Sequence, residues 1–243
     1  SRQAHPQGVT PMPAWLPELA ASVFATIIAI TLHEAAHGYA ARALGDDTAA
    51  RAGRLSLNPI RHVDMVGTIL LPGILLISQL LTIGRVEAMF GWAKPVPVNI
   101  WQLRNPRYGM VGVAAAGPAT NFALALLAGL LAHAVEPWQA SLGPEATAFA
   151  YRAIGLFILA NLVLGLFNLF PLPPLDGGRI AVGLLPRTPA MALARIEPFG
   201  LLVVMFGLFL LPHLIPGYDP MGWFFRGVVA PAFDFVLMLT GHG

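Results

Sequence analysis

Long apolar runs alternate along the chain with short polar connections punctuated by proline and glycine. Runs long enough to cross a bilayer extend from about Leu16 to Arg42, Val66 to Gly84, Tyr108 to Val135, Ala148 to Phe170, Ile196 to Leu211 and Gly222 to Thr240. Each approaches the roughly 20 residues that a helix needs to span a ~30 Å hydrocarbon core. No internal repeat relates them. Between the second and third runs, Gly91 to Asn99 (GWAKPVPVN) alternates residue types and carries two prolines, which predicts extended backbone, a strand, in place of helix. Residues 177–195 form a shorter stretch interrupted by Pro186 and Pro189, expected to lie along an interface and not to cross. Ser1 to Pro13 is polar and proline-rich and is expected to be flexible, without the charged and short apolar regions of a cleavable signal peptide.

Composition agrees with the pattern. Of 243 residues, 56% are hydrophobic and 11% charged, with a mean hydropathy of +0.69; soluble domains carry about 25% charged residues. The expected fold is an all-α polytopic membrane protein of about five to six transmembrane helices. Six spans and their connections fill the length, so one membrane-embedded domain over residues 1–243 is expected. A formal net charge of +2 without a dense basic run argues against a nucleic-acid partner. There is no cysteine, hence no disulfide framework, and any zinc site must use histidine and carboxylate ligands.

The first apolar run contains ITLHEAAHGYAARALG, which sets His33 and His37 one turn apart on one helical face. This is the H-E-x-x-H spacing that lets two imidazoles reach one metal. Glu34, beside the first, is placed to take a proton from a water on that metal. A carboxylate at mid-membrane costs on the order of 2.5–3.5 kcal/mol on insertion scales, so Glu34 requires a partner or a function. Two other readings of the cluster stand beside the catalytic one: ionisable groups satisfying one another between helices, and the transit site of a zinc transporter or metal-binding membrane protein. A catalytic zinc also needs a third protein ligand. NLFPLPPLDGGR offers Asp176, after Pro171, Pro173 and Pro174 have ended the fourth run and before Gly177 and Gly178, which permit close backbone approach. The same aspartate also reads as the N-cap of a following helix.

With HEAAH in the first run, GPATN at Gly117 to Asn121 in the third and NLFPLPPLDGG at Asn168 to Gly178, the chain resembles the site-2 protease family of intramembrane zinc metalloproteases in its compact prokaryotic form, over nearly its whole length. The resemblance implies a Zn2+ ion held by His33, His37 and Asp176, with Glu34 as general base. It implies Asn168 beside the active site, holding substrate backbone or the oxyanion, and Asn121 supporting the same substrate-binding cavity; an interhelical hydrogen bond is the alternative for Asn121. It further implies regulated intramembrane proteolysis of a single-span membrane-protein substrate within the lipid bilayer of a prokaryotic cell membrane. The PDZ and CBS domains of the family's larger members are not seen.

Topology supplies an independent constraint. If every apolar run crossed once, the His33–His37 half-site and Asp176 would approach opposite faces. At ~1.5 Å per residue His33 lies roughly 14 Å from Arg42, leaving the half-sites separated by much of the core. One crossing must be undone. The candidate is Val66 to Asn99, entering through a run interrupted at Pro72-Gly73 and returning through the extended GWAKPVPVN. Arg42, Arg51, Arg54, Arg61, Arg104, Arg107, Arg179, Arg187 and Arg195 then share one side, against Arg2 and Arg152 on the other, which places the metal nearer the cytoplasmic face. The extended segment either offers an edge to an unwound substrate or is plain scaffold. Asn58, His62 and Asp64 read as a structural cap, with contact to the site as the lesser reading for His62. His133 and His213 read as interface anchors, and Arg226 and Asp234 as a pair or as the lining of a gate.

Overall fold

A computed structural model describes residues 15–82, 84 and 91–243; the expectation for Ser1 to Pro13 lies outside the described residues. The apolar runs are helices close to the expected bounds: α1 (Trp15–Ala43), α2 (Met65–Thr82), α3 (Pro106–Ala132), α4 (Gln139–Asn168), the short α5 (Asp176–Leu184) and α6 (Arg187–Ala194), α7 (Glu197–Leu214) and α8 (Pro220–Leu239). Among the described residues five helical stretches are long and apolar enough to cross a membrane, and one of these, Pro106–Asn168, is 63 residues long. It doubles back through the turn at His133–Trp138 into α3 and α4. The chain is thus an integral, all-α polytopic membrane protein. α4 is broken at Gly143, where φ is 78° and ψ 168°, so its continuous part begins at Pro144.

Proline shapes the outer helices without ending them. Pro72 does not interrupt α2 as expected, and the same solution recurs in α7 and α8. In each, a π-helical stretch (Met65–Leu70, Phe206–Leu210, Phe225–Val229) stops two residues before a proline, Pro72, Pro212 or Pro231. Proline lacks the N–H and its ring presses on the carbonyl four residues back; the wider π turn relieves that clash and the helix continues.

The centre of the bundle is α1, α3 and α4. Small residues recur every three or four positions along α3 (Ala114, Gly117, Asn121, Ala125, Ala128), all buried; Ala125 and Ala128 pack with Ile158 and Leu162 of α4, and Asn121 reaches Ala29 of α1. Where lipid is as apolar as leucine, close backbone approach replaces hydrophobic drive as the source of helix association. Large apolar side chains such as Phe24, Leu81, Leu131 and Leu202 face outward instead. Contacts run antiparallel: α1 passes from Leu44 beside Arg104 to His37 beside Val113 to Ala29 beside Asn121, and Asn121 in turn meets Asn161 of α4.

The segment after α2 returns, as the topology requires. Gly91–Asn99 is extended, with successive alternate N–H groups donating to one side: Trp92 to Gly67 O (3.1 Å), Lys94 to His62 O (2.8 Å) and Val96 to Glu34 Oε2 (3.1 Å). It corrects the expectation in two ways. No strand occurs among the described residues, because the partners here are loop carbonyls and a side chain, not a neighbouring strand. Gly91 also already lies against Gly67 and Pro72 in the first turns of α2, so Gly91–Asn99 is not itself the crossing. Its far end is fixed by Asp46, fully buried, whose carboxylate accepts from Thr48 N (2.9 Å) and Asn99 N (2.6 Å). Burial pushes the Asp46 carboxyl up, but the hydrogen bonds from Thr48 and Asn99 outweigh it and hold the group below the usual carboxylate range. The arginines join the elements at this end: Arg51 to Gln102, Arg54 to the Lys94 carbonyl, and Arg107 to the carbonyls of Gly183 and Leu185. At the other end Glu18 pairs with Arg152 at 2.9 Å.

Asp46→Ala is expected to leave the Thr48 and Asn99 N–H groups without their acceptor, at a cost on the order of 1–3 kcal/mol. Thermal unfolding in detergent and limited proteolysis between residues 91 and 99 read this out; an unchanged midpoint and unchanged protection would contradict it. Because the folded-state value is depressed, the carboxylate's contribution is complete above its unfolded value of about 3.9 and is lost as pH falls through the lower folded value.

Candidate metal centre

His33 and His37 lie on the face of α1 that packs on α3, and both are buried. Close packing here depends on Gly117: a Cβ at that position would come within 2.5 Å of His37 Nε2 and 2.7 Å of His33 Cε1. Each imidazole is oriented from behind. His33 Nδ1–H donates to Asn121 Oδ1 at 2.6 Å, and His37 Nδ1–H donates to the Val113 carbonyl at 2.7 Å. Asn121 is itself fully buried and held by donation from its amide to Asn161 Oδ1 (2.9 Å) and Ala29 O (3.3 Å). With the ring protons on Nδ1, both Nε2 atoms carry lone pairs, and these two atoms stand 3.1 Å apart.

Asp176 completes the group. Leu175 and the prolines before it turn the chain out of α4, and a Cβ at Gly178 would overlap Pro173, so the start of α5 folds tightly against that turn. No side-chain cap is made at this helix start. Asp176 Oδ2 instead lies 3.1 Å from His33 Nε2 and 3.3 Å from His37 Nε2, buried, and accepts a hydrogen bond from neither. Three lone-pair donors therefore converge with no hydrogen among them, an arrangement that a cation reconciles. A tetrahedral zinc with ligands at about 2.0–2.2 Å sets its donor atoms roughly 3.3–3.6 Å apart. The observed separations fit such an ion after small adjustments.

The donors open onto a cavity of about 320 Å³ that Glu34, Asn168, Ala93, Pro95 and Val96 also line. Glu34 is half-buried and its Oε2 accepts from Val96 N. Asn168 donates one amide N–H to Leu164 O at 3.0 Å, which leaves its second N–H and its carbonyl for other partners. Of the sequence-derived residues, His33, Glu34, His37, Asp176 and Asn168 thus meet at one cavity. Asn121 stands one layer behind, contacting His33 and not the cavity. Asn161, Val113 and Asp46 were not legible as site residues: two act on the imidazoles through Asn121 or through a main-chain carbonyl, and the third acts through the extended segment.

The remaining candidates are structural or lie elsewhere. Asn58 accepts from Ile60 N, and Asp64 from Val66 N and Gly67 N, so both are caps; His62 bonds the Ser56 carbonyl and does not line the metal cavity. His213 bonds Phe209 of its own helix. Arg226 pairs with Asp219 at 3.0 Å and not with Asp234, since Asp219 caps α8 within reach of the guanidinium. That pair borders a larger, apolar groove of about 690 Å³ between the end of α4 and α7–α8. The extended segment's outer edge bears Ala93, Pro95 and Pro97; in an extended chain a residue's N–H and C=O share an edge, so this edge has one N–H donor. On the opposite edge Val96 N–H holds Glu34.

The helical membrane fold and a buried His–His–Asp donor set beside a glutamate define a membrane-embedded metalloprotease. Residues 139–211 match the model of Peptidase family M50. The chain is 38% identical over 216 residues, 86% of its length and 92% of its relative's, to "Putative zinc metalloprotease YwhC" of Bacillus subtilis (strain 168). It is 34% identical over 236 residues, 91% of its length and 80% of its relative's, to "Putative zinc metalloprotease Rip2" of Mycobacterium tuberculosis (strain ATCC 25618 / H37Rv). The chain belongs to Peptidase family M50, the site-2 proteases, whose members use zinc. No solved structure matches it significantly.

Asn121→Ala is expected to release the His33 ring and its tautomer and to weaken zinc binding by roughly 10–100-fold, the usual effect of removing a hydrogen bond behind a metal ligand. Competition against a chromophoric chelator measures this, and zinc affinity equal to wild type would contradict it.

Proposed function

We propose that this chain hydrolyses a peptide bond in or near the transmembrane segment of a single-span membrane protein, in regulated intramembrane proteolysis. The ligands are His33, His37 and Asp176, and the general base is Glu34. The carrying observation is the convergence of His33 Nε2, His37 Nε2 and Asp176 Oδ2 within 3.3 Å of one another, on the wall of a cavity that Glu34 shares. Zinc, when bound, supplies Lewis acidity at that point and makes water acidic enough to react at neutral pH.

The chain's own residues do the rest. Glu34 accepts the proton of the attacking water at a carboxylate oxygen and returns it to the amide nitrogen as the C–N bond breaks. Val96 N–H, donating to Glu34 Oε2, leaves the other oxygen for that transfer. Asn168 meets the substrate backbone through its unshared N–H and carbonyl. A helical substrate hides its scissile carbonyl in an i→i−4 hydrogen bond, so it must unwind before it can be cut, and helix-breaking residues near the bond favour cleavage. The arginine-rich end, to which the metal cavity lies nearer, is assigned to the cytoplasmic face of a prokaryotic cell membrane by the excess of basic residues in its connections.

Purified protein reconstituted with a single-span substrate tests the reading. Glu34→Gln is expected to keep its zinc, by elemental analysis, while cleavage falls by at least ~10²–10⁴-fold, the range general-base catalysis contributes. Chelation abolishes cleavage in the wild type and added zinc restores it. Wild-type cleavage by Glu34→Gln would overturn the mechanism, and zinc flux into proteoliposomes without cleavage would support a transporter instead.

A further inference from the structure

A second convergence of donors lies at the far end of α3, about 24 Å along the helix from Gly117 at ~1.5 Å per residue. Here α3 ends at Ala132, His133 begins the turn into α4, and Glu136 follows it. The C-terminus of α8 folds onto the same place. His242 N–H donates to Leu237 O (2.8 Å) and Gly241 N–H to Met238 O (3.3 Å), with Gly241 at φ 81°. This double bond pattern with glycine in the left-handed region is the Schellman end of a helix, and it turns His242 back toward α3. Gly129 of α3 admits the approach, since a Cβ there would lie 2.7 Å from Thr240 Oγ1.

Each imidazole is held by a main-chain carbonyl, here through Nε2 where the catalytic pair uses Nδ1. His133 Nε2–H donates to the Thr240 carbonyl at 2.6 Å, and His242 Nε2–H donates to the Gly129 carbonyl at 3.0 Å. Backbone carbonyls that fix the proton on one ring nitrogen leave the other as a ligand, the usual support of a metal-binding histidine. The rings stack with centroids 4.1 Å apart at 24°, and His133 Nδ1 pairs with Glu136 Oε1 at 2.9 Å, a contact whose proton a bound cation would displace. One ligand atom from each of the three residues lies within 4.8 Å of the others. His133 and Glu136 are exposed and His242 is half-buried, so water can fill the remaining positions.

We propose that His133, Glu136 and His242 form a second metal site, separate from the catalytic one, that fastens the C-terminal turn of α8 to the α3–α4 turn. Two imidazoles and one carboxylate suit zinc or a similar late divalent cation, and not magnesium or calcium, which take oxygen shells. Closing the chain between residues 133 and 242 restrains a long loop, where a clip has most effect on the unfolded chain.

The test is a Zn2+ titration of the full chain in detergent after chelator stripping, followed by calorimetry and by elemental analysis after desalting. The wild type is expected to take up two equivalents. His133→Ala and His242→Ala each lose the weaker equivalent while keeping the tighter one and peptide cleavage; His33→Ala loses the tighter one alone. Zinc beyond the first equivalent raises the unfolding midpoint of the wild type and leaves that of His242→Ala unmoved. His242 lies beyond the last helix, so its replacement does not threaten folding. A wild type that saturates at one equivalent, with His133 and Glu136 only an ion pair, overturns the proposal, as do two equivalents persisting in the His133→Ala/His242→Ala double variant.

Discussion

Three lone pairs directed at one point repel one another unless a cation lies among them, and much of the bundle serves to hold them there. The two Nε2 atoms of His33 and His37 and the Oδ2 of Asp176 come from helices far apart in sequence. Their meeting requires α1, α3 and the end of α4 to lie at one level, and the stripe of small residues along α3 sets that level by letting backbones approach closely. At Gly117 the two imidazoles occupy the space that a side chain on α3 would take. The supporting hydrogen bonds come from the same helix, through Asn121 and the Val113 carbonyl. α3 is therefore both spacer and orienting surface.

The excursion from Met65 to Asn99 answers a second demand, that of topology. A chain of simple crossings would carry the histidines and Asp176 to opposite faces. The excursion returns Gly91 to the level of Gly67, and the extended backbone that follows runs past His62 and Glu34 to Asp46. The device that corrects the crossing number thus also delivers an N–H group to the glutamate. Non-helical backbone at membrane depth is tolerated where it is buried in protein or lines a cavity, and here Val96 is buried and Ala93, Pro95 and Val96 line the metal cavity.

Much of this was legible in the residues. Apolar run length located the spanning helices to within a few residues, apart from the start of α4. The H-E-x-x-H spacing joined His33, Glu34 and His37, and the requirement for a third ligand drew in Asp176 and forced the return of the chain. The rest was hidden for physical reasons. Main-chain carbonyls such as those of Val113, Thr240 and Gly129 fix histidine tautomers but leave no signature in side-chain identity. Asn161 acts through Asn121, and Asp46 looks like an ordinary loop acid until its hydrogen bonds are seen. Pro72 suggested a break because a pattern cannot show that the preceding turn widens to a π-helix. The prolines at 95 and 97 marked extended chain correctly, yet they also leave its outer edge with fewer N–H donors than a strand offers.

The central claim is that one zinc ion is shared by two imidazoles of α1 and the carboxylate that opens α5. X-ray absorption at the zinc edge, on His133→Ala/His242→Ala protein loaded with a single equivalent, addresses it most directly. The account predicts a four-coordinate shell of two imidazole nitrogens and oxygen donors, falling to one imidazole in His37→Ala. A shell containing one imidazole or none in the protein with His33, His37 and Asp176 intact would contradict it.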